Sequence, residues 1–346
     1  MSMAHLALGE IVWPLDLLNG DQVWTLSFEA YNHYSESQKD VFSALGSSAI
    51  DPRDNDALAK VVECIRQHDE RDHAINFISV LLNNNDTVAC QAALDLVARL
   101  ISMVEVGSLE TGHGWVRRTG PSPAVVWTDG TLTNLIAKQF PISCHRSCDS
   151  LSISLTLDAW GLENIAGIRI EFTDNLADHL RLTNNNTQLY VFHHVAYLEQ
   201  QRRCPTSTLP EGLAEETLKT LAIFFPQSDY CGSLRSRRKK RVWLDRLRSQ
   251  SGRIIDRQLT WCGTSNLESR QLVNFRYWKN RLLVLKDEFD HSTPDSFSQW
   301  WHDRRNGVQW HNFWVAILVL GLTAMFGFIQ CILAAIQVHK AYHPAP

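Results

Sequence analysis

From Phe313 to Ile336 no side chain carries a formal charge. As a helix that run covers about 36 Å, against about 30 Å for the hydrocarbon core of a bilayer. A core helix of a soluble protein seldom runs so far without one charge. Trp301, Trp310 and Trp314 stand where an aromatic belt belongs, Arg304 and Arg305 precede the run, and His339 and Lys340 close it. Residues 312–338 therefore read as a transmembrane helix and the chain as a single-pass membrane protein. Met1–Glu10 holds no basic stretch, and Glu10 and Asp16 interrupt any apolar run, so no secretory signal peptide is expected. With eight residues beyond Val338 the span would leave the ribosome after synthesis ends, the situation of a tail-anchored protein. Arg304 and Arg305 outweigh Lys340, which places the preceding part in the cytosol.

The rest of the chain is acidic, then basic. Residues 1–233 hold 15 Lys+Arg against 29 Asp+Glu, whereas residues 234–286 hold 15 against 3. Such blocks describe an acidic globular part, a basic connector and an anchor. Hydrophobic residues make up 45%, enough for a buried core besides the span. Eight cysteines in a chain expected in the cytosol read as reduced thiols rather than a disulfide framework.

Hydrophobic periodicity divides the chain further. Residues 1–53 scatter Trp13, Trp24, Phe28, Tyr31 and Tyr34 among turn formers and read as strand or irregular. Across 54–106, Leu58, Val61, Val62 and Ile65, then Ile75, Ile78, Leu81 and Leu82, then Val88, Ala92, Leu96, Leu100 and Val104 recur at helical spacing. They describe three antiparallel helices, with Asp86 capping the third. Residues 107–226 form an α+β part: a helix through Leu132, Leu135, Ile136 and Phe140, alternating strands Leu151–Leu157, Gly167–Thr173 and Gln188–His193, and a helix between Pro210 and Pro226. A basic connector (227–264) leads to amphipathic juxtamembrane helices (265–311). Ser265-Asn-Leu-Glu268 offers a capping box there, and Phe275, Trp278, Leu282, Leu285 and Phe289 share one face. A further helix would run from Thr293-Pro294 to Gly307, ahead of the span and a short tail, 339–346. The expected class is α+β, mostly helical: a small antiparallel sheet with packed helices, an amphipathic connector helix and one C-terminal transmembrane helix.

Several stretches carry a resemblance. Gly167-Ile-Arg-Ile-Glu-Phe-Thr-Asp-Asn-Leu-Ala-Asp-His-Leu180, Val191-Phe-His-His194, and Leu209-Pro-Glu-Gly-Leu213 with Glu215-Glu-Thr-Leu218 resemble a family of uncharacterised fungal membrane proteins. Gln299-Trp-Trp-His-Asp-Arg-Arg-Asn-Gly-Val-Gln-Trp310, Phe313-Trp-Val-Ala316 and Ala341-Tyr-His-Pro344 do so too. The resemblance implies membrane anchoring and brings no activity with it.

No Gly-x-Ser-x-Gly elbow, His-Glu-x-x-His pair or phosphate-binding Gly-x4-Gly-Lys loop occurs. Asp174 and Asp178, four apart with His179 adjacent, would share a helix face suited to acid–base or metal chemistry; the plainer reading is that Asp174 caps a short helix and Asp178 is solvated. His193-His194 at a strand end sends one ring to each face, so a single ion could not take both without a bend, and a buried, hydrogen-bonded histidine is the plainer reading. Cys144, His145 and Cys148 offer zinc ligands, but no second cysteine pair completes a site. No cofactor is expected. Arg235, Arg237, Arg238, Lys239, Lys240 and Arg241 read as a solvated linker, a nuclear import signal, or a contact for nucleic acid, acidic lipid headgroups or the chain's own acidic domain; a tethered connector meets the leaflet constantly, whereas nucleic acid must be brought to it, which favours lipid or the acidic domain. Within the span, Ala324, Gly327, Gln330, Cys331 and Ala334 fall at steps of three and four, a face on which a second copy could pack.

Two functions fit these residues. One is a membrane-anchored interaction or scaffold protein with a cytosolic domain, binding protein partners or itself. The other is a membrane-tethered hydrolase using Asp174, Asp178 and His193 or His194.

Overall fold

A computed structural model describes residues 27–45, 54–67, 70–83, 85–107, 120–143, 151–230, 235–292 and 307–342. The chain divides into two units, residues 1–163 with 168–291, and residues 164–167 with 292–346. Within the first, the expected class holds: helices dominate and a three-stranded sheet is packed among them.

Of residues 1–53, expected as strand or irregular, the described stretch 27–45 is mostly a helix, α1 (Glu29–Leu45); the rest of that segment lies outside the described residues. Ala30, Tyr31, Tyr34, Ser35, Gln38, Lys39 and Phe42 are buried on it, a helical spacing, with Phe28 buried just ahead of it. The polar members of that stripe hid it from a count of apolar residues alone. Lys39 is tolerated there because its ammonium donates to Glu36 and Asn55, both at 2.8 Å.

Next come the three expected helices, α2 (Asn55–Arg66), α3 (Arg71–Leu82) and α4 (Thr87–Ser102). Asp54 accepts from the N–H groups of Asp56 and Ala57, and Asp86 from those of Val88 and Ala89, the N-cap bonds these residues favour. The buried stripe of α4 runs through Ala89, Cys90, Ala93, Leu94, Leu96, Val97, Leu100 and Ile101. Val88, expected on that stripe, is 64% exposed.

The end of α4 is the centre of the unit. Arg99 O accepts from Met103 N–H at 2.8 Å, but the last carbonyls beyond it have no helical N–H to accept from, and Leu100 and Ile101 are buried. Tyr31 and Tyr34 of α1 donate their hydroxyls to Leu100 O (2.8 Å) and Arg99 O (3.3 Å). Ile101 O accepts from Tyr197 (3.0 Å), Gln201 (3.1 Å) and Thr208 (3.4 Å). Tyr31 and Tyr197 stack with ring centroids 6.3 Å apart.

After helices α5 (Leu132–Gln139) and α6 (Ala159–Asn164), the sheet comprises β1 (Arg169–Thr173), β2 (Arg181–Thr183) and β3 (Gln188–Phe192). Its order is β1-β3-β2, and it is mixed rather than antiparallel. β1 runs parallel to β3, from Arg169 opposite Gln188 to Thr173 opposite Phe192, and β2 pairs antiparallel with β3. Asn184, Asn185 and Asn186, all at positive φ, make the turn between β2 and β3, a conformation asparagine tolerates. Leu151–Leu157 is not a strand: Ser152 makes one bridge to Gln271 and the chain then turns. Only Ile153 and Leu157 of its alternating residues are buried; Leu151 and Leu155 are exposed.

Helices α7 (Val195–Arg203), α8 (Leu213–Phe224) and α9 (Gln227–Tyr230) follow. The basic stretch forms a helix, α10 (Arg235–Gln250), whose Leu244 and Leu247 are buried, rather than a solvated linker. Ser265 does not cap a long helix; it accepts from Arg270 Nε at 2.8 Å within a run of short 3-10 turns. α11 (Lys279–His291) begins later than expected, with Phe275 and Trp278 buried ahead of it and Leu282, Leu285 and Phe289 on its inner face. Glu216 of α8 fixes its approach by accepting from the N–H groups of Arg276, Tyr277 and Trp278 at 2.7 to 2.8 Å.

In the second unit, α12 (Gly307–Tyr342) is one continuous helix of 36 residues. Residues His311–His339 are long and apolar enough to cross a membrane, and their apolar side chains are exposed. The helix expected from Thr293 lies outside the described residues.

Candidate functional site: two histidines on one carboxylate

Because β1 and β3 are parallel, their C-terminal ends share one edge of the sheet. Asp174 follows the end of β1; His193 and His194 follow the end of β3. Strand alternation stops at Phe192, and His194 already stands at the N-terminus of α7. The bend brings both rings to one side, contrary to the expectation of one on each face. They stack at 4.1 Å, 28° apart.

Both rings meet the same oxygen. Asp174 Oδ1 lies 3.2 Å from His193 Nε2 and 2.8 Å from His194 Nε2, and Oδ2 accepts from Arg253. The histidines are buried, and Asp174 is 17% exposed. Asp256, just beyond Arg253, donates its N–H to His193 Nδ1 at 3.4 Å. That bond fixes the tautomer: Nδ1 accepts, so Nε2 carries the proton and donates to Asp174. Burial would raise the Asp174 pKa, but hydrogen bonds from both histidines outweigh it and hold the carboxyl well below its usual range. Burial, reinforced by the neighbouring His194, lowers His193 to about 4. His194 Nδ1 is buried with no hydrogen-bond partner among the described residues; its ring packs on Tyr34 at 5.9 Å and Phe192 at 5.4 Å.

Asp174, His193 and His194 bring three potential ligand atoms within 4.8 Å of one another, and two imidazoles with a carboxylate suit a transition metal. The hydrogen bonds run against that use. A histidine bound to metal through Nε2 normally donates its Nδ1–H to an acceptor, whereas His193 Nδ1 faces a donor. Arg253 already brings a positive charge to the carboxylate. The arrangement is that of a buried anion neutralised by a guanidinium and steadied by two imidazole donors.

Asp178 and His179 are engaged elsewhere. Asp174 and Asp178 do not lie on one helix: Asp178 ends a 3-10 turn, Leu176–Asp178, that Asn175 caps, and Asp174 stands before it. Asp178 is buried rather than solvated, accepting from Ser122 N–H (3.0 Å) and Asn175 Nδ2 (3.2 Å). The backbone at Gly120 passes so close that a side chain there would put its first carbon 1.8 Å from Asp178 Oδ2. His179 Nδ1 accepts from Phe192 N–H (3.2 Å), so Nε2 donates to Thr220 (2.7 Å), which donates to Thr217 O (2.6 Å). Burial holds His179 well below its usual pKa; it is a fully bonded core histidine.

Of the basic residues, Arg238, Lys239 and Arg241 are exposed on α10, and Lys240 pairs with Asp158 at 2.5 Å. Arg235 lies in the first turn of that helix, followed by the half-exposed Arg237. Ala324, Gln330, Cys331 and Ala334 are exposed on α12, where a Cβ on Gly327 would meet nothing within 4 Å. Cys144, His145 and Cys148 lie outside the described residues. Arg253, Asp256 and Tyr34 complete the histidine cluster, and no local spacing could have announced them: Arg253 is 79 residues from Asp174.

Comparison of the chain with family models, curated proteins and solved structures returns no match.

Proposed function

We propose that this chain is a single-pass, membrane-anchored interaction protein whose first unit faces the cytosol. The observation that carries the reading is α12, a continuous helix with an exposed apolar surface from His311 to His339. The resemblance to fungal membrane proteins points the same way. Asp174 and Asp178 at the sheet edge are each bonded to separate partners within the fold. That separation disfavours a tethered hydrolase drawing on both carboxylates.

Arginine at mid-bilayer costs about 2.5 to 3.5 kcal/mol per residue on insertion scales. The full-length chain should resist extraction from membranes by alkaline carbonate, and the double variant Leu320→Arg/Phe328→Arg should be released. Release of the unaltered chain would remove the anchor. Orientation has its own readout, because Asn85-Asp-Thr87 and Asn185-Asn-Thr187 are glycosylation sequons with exposed asparagines. Glycan on either asparagine would place the first unit in the lumen and overturn the cytosolic assignment.

A further inference from the structure

Helix α10 has two faces that do different things. Lys240, Trp243, Leu244 and Leu247 point inward: Leu244 and Leu247 are buried, Trp243 Nε1 donates to Glu163 at 2.7 Å, and Lys240 pairs with Asp158 and lies 5.9 Å from the Trp160 ring centre. These contacts fix the rotation of the helix about its axis. Arg238, Lys239, Arg241, Val242, Asp245 and Arg246 consequently face outward, all exposed. Asp245 is the one acid among them, and it pairs with Arg248 at 3.6 Å. Val242, 62% exposed, sits between the cations.

We propose that this outer face docks on the anionic lipid surface of the membrane in which the chain is anchored. A rigid helix with a cationic face and an apolar side chain at its middle matches a charged, hydrated surface that also accepts a small hydrophobe. Anchoring keeps such a surface close to the protein at all times, which neither nucleic acid nor a soluble acidic partner shares. The inference rests on the anchoring reading above, and carbonate extraction separates a failure of the anchor from a failure of docking.

The test uses the full chain carrying Val242→Cys, reconstituted into phosphatidylcholine vesicles or vesicles that also contain phosphatidylserine. Alkylation of residue 242 by a membrane-impermeant maleimide is followed by peptide mass spectrometry. Labelling should be at least about fivefold slower on the anionic vesicles, the effect of even one cation held at such a leaflet. High salt should abolish the difference, as should Arg238→Glu/Lys239→Glu/Arg246→Glu in the same chain. Equal, fast labelling on both vesicles overturns the proposal. Equally slow labelling on both would mean that the protein covers this face itself, and slowing that requires an added oligonucleotide would mean nucleic acid; either outcome also overturns it.

Discussion

His193 is kept neutral by its surroundings, and the consequence is a dependence on pH with a definite sign. Unfolded, it takes up a proton below about pH 6.5; folded, only below about 4, because burial and the neighbouring His194 disfavour the charge. Between those values the unfolded chain binds more protons, so stability present above pH 6.5 is lost as pH falls toward 4. Asp174, held well below its ordinary range by its histidine hydrogen bonds against the pull of burial, adds a loss at still lower pH. Burial raises Asp178 and Asp256, which acts in the opposite sense: their penalty is relieved on acidification. The decisive quantity is therefore a difference between proteins. Denaturant unfolding of the full chain in detergent should show the unaltered protein losing about 2 kcal/mol more between pH 7 and pH 5 than His193→Gln does. Parallel pH profiles would mean that His193 does not titrate differently on folding. The sequence singled out Asp174, His193 and His194, but a spacing of four suggested the wrong partner for Asp174. Arg253 and Asp256 reach the cluster across the fold, and local periodicity holds no record of that.

Helix α4 shows how an element can be legible at one end and hidden at the other. Its start is announced by Asp86, whose side chain satisfies N–H groups two and three residues on. Its end depends on tyrosines from α1 and α7, a tertiary arrangement that no local pattern in the sequence encodes. Those tyrosines are not equivalent. Arg99 O accepts from Met103 N–H (2.8 Å) as well as from Tyr34, whereas among the described residues Tyr31 alone serves Leu100 O. Tyr31→Phe should therefore cost about 1 to 3 kcal/mol, the penalty of a buried unsatisfied carbonyl, and Tyr34→Phe about 1 kcal/mol or less. Equal losses in thermal or denaturant unfolding would contradict that division. The sheet teaches a related lesson. Alternation located β1 and β3 correctly, but direction and strand order depend on how the chain returns, and the asparagine turn that creates β2 leaves β3 free to lie parallel to β1.

On the scale of the whole molecule, the basic stretch meets the acidic part, one of the two contacts its charge suggested. The basic block is a packed helix, tied to the acidic part through Lys240 and Asp158, so composition located the segment without revealing that it folds. The long apolar helix α12 was the most legible element of all, since such a run is specified by length and hydrophobicity with little help from distant contacts. Its length has a further consequence. Residues 313–338 are 26 without formal charge, about 39 Å as a helix. Endoplasmic reticulum bilayers offer about 27 Å of hydrocarbon and plasma membranes about 32 to 33 Å. Matching the thinner one by inclination alone would need roughly 45°, beyond the usual range of about 0 to 40°; the thicker one needs roughly 35°. A span of that length would be matched with less inclination in a thicker, sterol-rich bilayer than in a thinner one. Polarised infrared spectroscopy of the reconstituted chain should find the helix leaning more as the acyl chains of the host lipid shorten, and an inclination indifferent to acyl length would contradict that.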